Sequence, residues 1–183
     1  MLGGAMAKIR FKVNIKKALE AILYISSKCP DVGFHSICKL FFYADIYHLN
    51  TYGRPVFGDE YEALQYGPVP KTTYNLLKQD PLLFEALSED QPFEVIKKGT
   101  KPIVIPHREA EMDYFSKSDI EALNYAIENF SNLSFKELTE ISHKHPAWIN
   151  AGSFGRMDYE DFIEPSNKEL ICDLKENSQY ISI

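Results

Sequence analysis

Asp45, His48, Arg54 and Asp59 fall close together in the chain, with Tyr43, Tyr47 and Tyr52 among them. A carboxylate, an imidazole and phenols in one neighbourhood are the groups used for general acid–base catalysis, and Asp45, His48 and Asp59 together could serve a hydrolase. The same groups can instead form a hydrogen-bonded network that pins a loop to a helix, because buried charges must be paired and satisfied. A binding surface is the third use. The surrounding sequence favours the structural network. Gly53 to Pro70, GRPVFGDEYEALQYGPVP, carries three Gly and three Pro, which fix several turns. Phe57, Tyr61 and Tyr66 lie among those turns. A disordered linker has no need of such rings, so an ordered loop folded onto the core is expected.

Other chemistries lack their residues. His143 and His145 are two apart and fall on different helix faces, whereas helical zinc ligation needs a spacing of four with a Glu between. No metal or other cofactor is expected. The chain has no Gly-x-Ser-x-Gly elbow, no Walker loop and no dinucleotide fingerprint. Cys29, Cys38 and Cys172 match no metal motif, and their odd number speaks against a disulfide framework. Cys38, at the start of an apolar helix, reads as a small buried hydrophobe. The only Trp, Trp148, lies in His143-Lys144-His145-Pro146-Ala147-Trp148 and reads as a plug on the core beside a helix end, with an interface anchor as the alternative.

The elements that must position these groups are mostly helices. Ile15, Ala18, Leu19, Ile22 and Ile25 share a helical face after the cap Asn14, and the helix runs to Lys28 before Pro30. A second helix spans Phe34 to Tyr52. It places Asp45 and His48 on one face and ends at Gly53, before Arg54-Pro55 forbids continuation. Pro70 opens a third helix over Lys71 to Lys78, and a turn of helix follows near Leu82 to Leu87. Phe93 to Lys98 and Lys101 to Pro106 form the one small β-hairpin. Ser118 with Glu121, Ser134 with Glu137 and Ser166 with Glu169 mark capping boxes of three further helices, the last over Asn167 to Glu176 with a loose tail beyond. The Gly152 to Gly155 stretch reads as a loop before Met157 to Ile163. The fold class expected is mainly α (α+β), a compact helical domain with one small β-hairpin.

Composition narrows the role. With 183 residues the chain suits one domain, and 45% apolar residues suffice for a core. A net charge of −6 argues against nonspecific nucleic-acid binding, which needs a cationic face. No stretch reaches the ~18 apolar residues of a membrane span. Met1 to Ala7 is small and nearly uncharged with no apolar core region after it, so no signal peptide is read there. A reducing cytoplasm is the setting these features suggest.

One stretch goes further. KLFFYADIYHLNTYGRPVFGDEYEALQYGPVP resembles the signature of the Panacea domain of SocA-like antitoxins and phage-associated proteins. The matching elements are Lys39-Leu40, Tyr43, Asp45, His48, Tyr52-Gly53-Arg54-Pro55, Gly58-Asp59, Tyr61, Ala63 and Tyr66-Gly67-Pro68-Val69-Pro70. His143, Pro146 and Trp148 match a second landmark. The resemblance implies a domain over 14–163, after an extension over 1–13 and before a C-terminal helix and tail over 164–183. It implies no enzyme. It implies the antitoxin of a two-gene toxin–antitoxin system, which neutralises a protein toxin encoded nearby by binding it directly, as a hetero-oligomer or with a homodimer also formed. The alternative is a proteolytic adaptor or phage-associated regulatory protein. The Gly, Pro and aromatic content of the signature reads as a fold signature, with specificity on exposed positions outside it, such as the hairpin or the last helix.

Overall fold

The computed structural model describes residues 8–183, so the sequence reading of Met1 to Ala7 lies outside the described residues. Two long helices make the centre. α1 (Ile15–Lys28) starts at Asn14, whose side chain accepts from the Lys17 amide, and Ala18, Leu19, Ile22 and Ile25 of its apolar face are fully buried. α2 (Phe34–Tyr52) carries apolar residues around most of its circumference, as a helix covered on all sides must. Gly53 ends it at φ +76°, a left-handed conformation that costs glycine little. α5 (Lys117–Phe130) packs along α2, and α1, α3 (Lys71–Leu77) and α4 (Pro81–Leu87) close the other side.

The protein is mainly α with small β-hairpins, and among the described residues the hairpins number two where the sequence reading expected one. The expected hairpin pairs β3 (Phe93–Lys98) with β4 (Lys101–Pro106) in antiparallel register. The unexpected one lies inside the Gly- and Pro-rich loop: β1 (Tyr61–Leu64) pairs with β2 (Gly67–Pro70), and Gln65-Tyr66 make the turn. Two prolines in a four-residue strand argue against strand from propensity alone. Here β2 is an edge, and β1 takes its second partner from 154–157: the Phe154 amide donates to Ala63 O at 2.9 Å and the Met157 amide to Tyr61 O at 2.9 Å. The 152–155 loop is therefore tied to the hairpin.

Two apolar cores result among the described residues. The larger lies between α1, α2, α3, α5 and β4; Phe41 and Phe57 stack within it at 4.1 Å. The smaller gathers Phe42, Leu49, Tyr61, Met157, Phe162 and Leu174 beneath α7 (Pro146–Ala151) and α8 (Lys168–Asn177). Trp148 packs on this second core, partly buried, and donates its indole N–H to Leu64 O at 3.2 Å, which is the plug role.

Three local expectations are corrected. The α5 capping box is Ser116 with Asp119, not Ser118 with Glu121. α8 has Asn167 at its N-cap without a side-chain bond, so Ser166 and Glu169 form no box. The chain beyond Glu176 is not loose: Ser178 is buried and accepts from the Arg10 amide at 3.1 Å, and Asn14 donates its amide to Ile183 O at 2.9 Å. The Ser134–Glu137 box of α6 (Phe135–His143) forms as expected.

Candidate functional site

The signature residues of α2 and the following loop are brought together, but as three separate closed networks. Asp45 accepts from the amides of Val56 and Phe57 at 2.8 and 2.9 Å and from the Tyr61 hydroxyl at 2.9 Å. Burial pushes its carboxyl up to about 7, against the pull of those donors. Its side chain thus fastens the loop after α2 to the helix that precedes it.

His48, one turn on, uses both ring nitrogens. Nδ1 lies 2.6 Å from Arg54 O, and a carbonyl can only accept, so Nδ1 carries the proton. Nε2 then accepts from the Ser118 hydroxyl at 2.9 Å. Burial holds the imidazole below its ordinary range. Beyond it lies Asp119, 1% exposed, which meets Lys17 Nζ at 3.1 Å and Arg54 Nη2 at 3.0 Å and accepts from the Ser116 amide at 2.9 Å. Burial alone would raise the Asp119 carboxyl, but the Ser116 amide and the charges of Lys17 and Arg54 hold it below its usual range. This one carboxylate ties α1, the loop after α2 and the head of α5.

Asp59 makes the third network. It accepts from the amides of Glu60, Thr72 and Thr73 and from the Thr73 hydroxyl, between 2.8 and 3.0 Å. Helices leave their first N–H groups without partners, and α3 starts after Pro70, which has no capping side chain. Asp59 supplies that cap from outside the helix.

Lys39 is wholly buried beneath the β1–β2 turn and donates to Pro68 O at 3.0 Å. Burial lowers its ammonium to about 8. Gly67, at φ +102°, permits this: a Cβ there would lie 2.4 Å from Ser142 Oγ and 2.7 Å from Lys39 Cε. His143 stacks on Trp148 at 3.8 Å, and Pro146 takes the first position of α7 beneath the His145 cap. Tyr43 stacks on Phe130 at 3.9 Å, and Tyr52 donates to Glu121 at 2.7 Å, the carboxylate that the sequence placed in a cap. Gly58 packs against Phe11, and Pro55 is buried.

Asp45, His48 and Asp59 therefore do not form one constellation. All three are fully buried, and each is held by donors or acceptors of its own chain. Cys38 is equally closed, its thiol pushed by burial up to about 12. The Glu20, Glu89 and Glu111 carboxylates converge within 4.8 Å, a spacing a cation could use, but Arg108 and Lys16 already sit among them, with Arg108 bound to Glu20 at 2.7 and 2.8 Å. Asp119, Lys17 and Ser118 are the network members that sequence reasoning missed. The available signal was Ser116 three residues before Asp119, a capping pattern overlapping the one that was read.

The scaffold spends its signature polar groups internally and leaves Tyr52, Tyr66, Phe135 and Phe154 among its exposed rings. The profile of the SocA-like antitoxin family, Panacea domain, matches residues 37–149, well over half of the chain, and the protein belongs to that family. Neither the curated proteins nor the solved structures give a match. No helix among the described residues is long and apolar enough to cross a membrane.

Proposed function

We propose that this chain is the antitoxin of a two-gene system and neutralises a protein toxin encoded beside it by direct, non-catalytic binding in the cytoplasm. The observation that carries the reading is the family match over 37–149, which contains Asp45, His48, Asp59 and Asp119, the centres of the three buried networks. Those networks support it further, because a carboxylate or imidazole with no solvent access, already bonded within its own chain, is out of reach of an external substrate. Residues 14–163 are taken as the binding domain. Affinity comes from a few desolvated aromatic anchors, with charge setting register and on-rate.

Co-expression with each adjacent open reading frame tests this. One neighbour is expected to arrest growth alone, to be harmless with this protein and to be recovered in complex with it. A toxic neighbour that stays active and unbound in excess of this protein would refute the reading. If the neighbour is instead bound and its cellular lifetime shortens, the adaptor reading replaces it.

A further inference from the structure

Deepening the protein-binding reading just given, and resting on it, we propose that the groove between the head of α2, the β1–β2 turn and Phe135 receives an extended segment of the partner protein that carries a carboxylate flanked by apolar side chains.

The groove is about 380 Å³ and shares Phe34, His35, Pro102 and Phe135 with an adjoining hollow of about 600 Å³ at the head of α2. Its walls are apolar, and three of its rings stand in solvent: Tyr66 (52% exposed), Phe135 (51%) and Phe154 (73%). The Tyr66 and Phe135 rings lie 5.2 Å apart, and Phe135 covers His35 at 4.0 Å. Clustered aromatics of this kind dominate interface energies because they bury much area at little entropic cost. Phe154 adds an independent sign. It holds φ +60°, a strained conformation for a bulky residue, while its amide is anchored to Ala63. Its large apolar ring stands outside both cores.

Charge decides what the groove takes. The chain has 26 acidic and 20 basic residues, yet the groove lining contains no carboxylate, and its ionisable side chains other than Cys38 and the tyrosines are Lys39 and His35. Lys39 donates to one carbonyl and has no carboxylate within 4 Å among the described residues. His35 adds no charge near pH 7, because burial holds its ring at about 4, and its Nδ1 is buried without a partner among the described residues. In the adjoining hollow the only acid is Asp31, which Lys98 already engages, and Lys101 stands on the rim. α2 itself begins at Gly33 with no side-chain cap and no acid in its first turn, which leaves its positive end open to the same place. An apolar trough over the buried Lys39 ammonium, with Lys101 on the rim of the adjoining hollow and no acid in its own lining, is complementary, in a protein of net charge −6, to an acidic, apolar peptide. The same balance disfavours nucleic acid and an anionic membrane. The chain's own last residues are engaged elsewhere, with Ile183 O held by Asn14.

The test pans a random peptide display library on immobilised full-length protein and measures the selected peptides against Phe135→Ala and Lys101→Glu. Both positions are exposed, and both variants are expected to melt with the wild type; Phe154→Ala stands in for either one that does not fold. The expected result is enrichment of an Asp or Glu between apolar or aromatic residues, with affinity falling at least about tenfold in Phe135→Ala. Lys101→Glu and added salt are also expected to weaken binding. Selected peptides without an acid, peptides that bind Phe135→Ala as tightly as wild type, or no binder at all would each overturn the proposal. A wild-type dimer in sedimentation that Phe135→Ala dissolves would overturn it too, in favour of a contact between copies. Full rescue from a toxic neighbour by Phe135→Ala, with the complex intact, removes the groove and leaves the antitoxin reading in place. If no neighbour is toxic, that reading falls while the peptide selection still decides the groove.

Discussion

Replacing Asp119 with Ala tests the idea that one buried carboxylate holds three elements together. The side chain is 1% exposed and faces Lys17 Nζ, itself 7% exposed, at 3.1 Å. Removing one partner of such a pair leaves an uncompensated buried charge, at a cost of about 3–5 kcal/mol. The lost α5 capping box would cost about 1 kcal/mol alone, and the Arg54 contact, with Arg54 23% exposed, less than about 1 kcal/mol. These contributions share one carboxylate and do not simply add. The expected loss is therefore about 3–5 kcal/mol, a large part of the ~5–15 kcal/mol that domains possess. Urea unfolding at pH 7 should show it as a midpoint lowered by roughly 1–5 M, given a slope of about 1–3 kcal/mol per molar. Arg54→Ala, whose partner keeps Lys17, should cost only about 1–2 kcal/mol. Lys17→Met with Asp119→Asn removes both buried charges and keeps an acceptor for the Ser116 amide, and should recover at least half of the loss. An Asp119→Ala midpoint within about 0.5 kcal/mol of wild type would refute the reasoning. So would a double variant no better than the sum of its parts.

Three further outcomes are expected. Asp59→Ala strands the Thr72 and Thr73 amides at the head of α3 and should destabilise by about 2–4 kcal/mol, with faster hydrogen exchange at those two amides as the local readout. Gly67→Ala forces a Cβ to within 2.4 Å of Ser142 Oγ in a left-handed backbone, and should lower the melting temperature by roughly 5–15 °C in differential scanning calorimetry. Burial holds His145 at about 4, below its ordinary 6.5, so below pH 6.5 the unfolded chain takes up a proton that the folded chain refuses, and stability falls with pH until about 4. Asp45, raised to about 7, acts with the opposite sign over the same range, so the histidine must be isolated by substitution. His145→Asn keeps an acceptor for the Ala147 amide; between pH 7 and 5 it should lose about 1–2 kcal/mol less than wild type, and equal losses in parallel urea titrations would show that His145 titrates normally.

The antitoxin reading and the groove reading are separable. The first rests on the family and on polar groups turned inward; the second rests on exposed rings, one strained backbone and the sign of the local charge. A toxin that engages the β3–β4 hairpin or α8 would satisfy the first alone.

Much of this was legible in the chain because it depends on neighbours a few residues apart. Apolar spacing located α1 and α2, Gly53 before Arg54-Pro55 fixed the end of α2, and Ser134 with Glu137 opened α6. The Gly, Pro and aromatic pattern after α2 marked an ordered loop and the family. Contacts across long stretches of chain had no such signal. Two overlapping Ser-x-x-acid patterns open α5, and local rules rank them alike. Only packing decides, because Asp119 meets Lys17 from α1 while Ser118 meets His48 and Glu121 meets Tyr47 and Tyr52. β2 was hidden by Pro68 and Pro70, which a strand tolerates only as an edge, and an edge exists only once β1 has found 154–157 on its other side. The docked tail and the groove are of the same kind: Ser178 meets Arg10, and Phe34, Tyr66, Phe135 and Phe154 meet only after the helices have packed. Side-chain periodicity along one segment sets local structure, whereas the partner of a buried charge and the shape of a surface are set by which segments come to lie side by side.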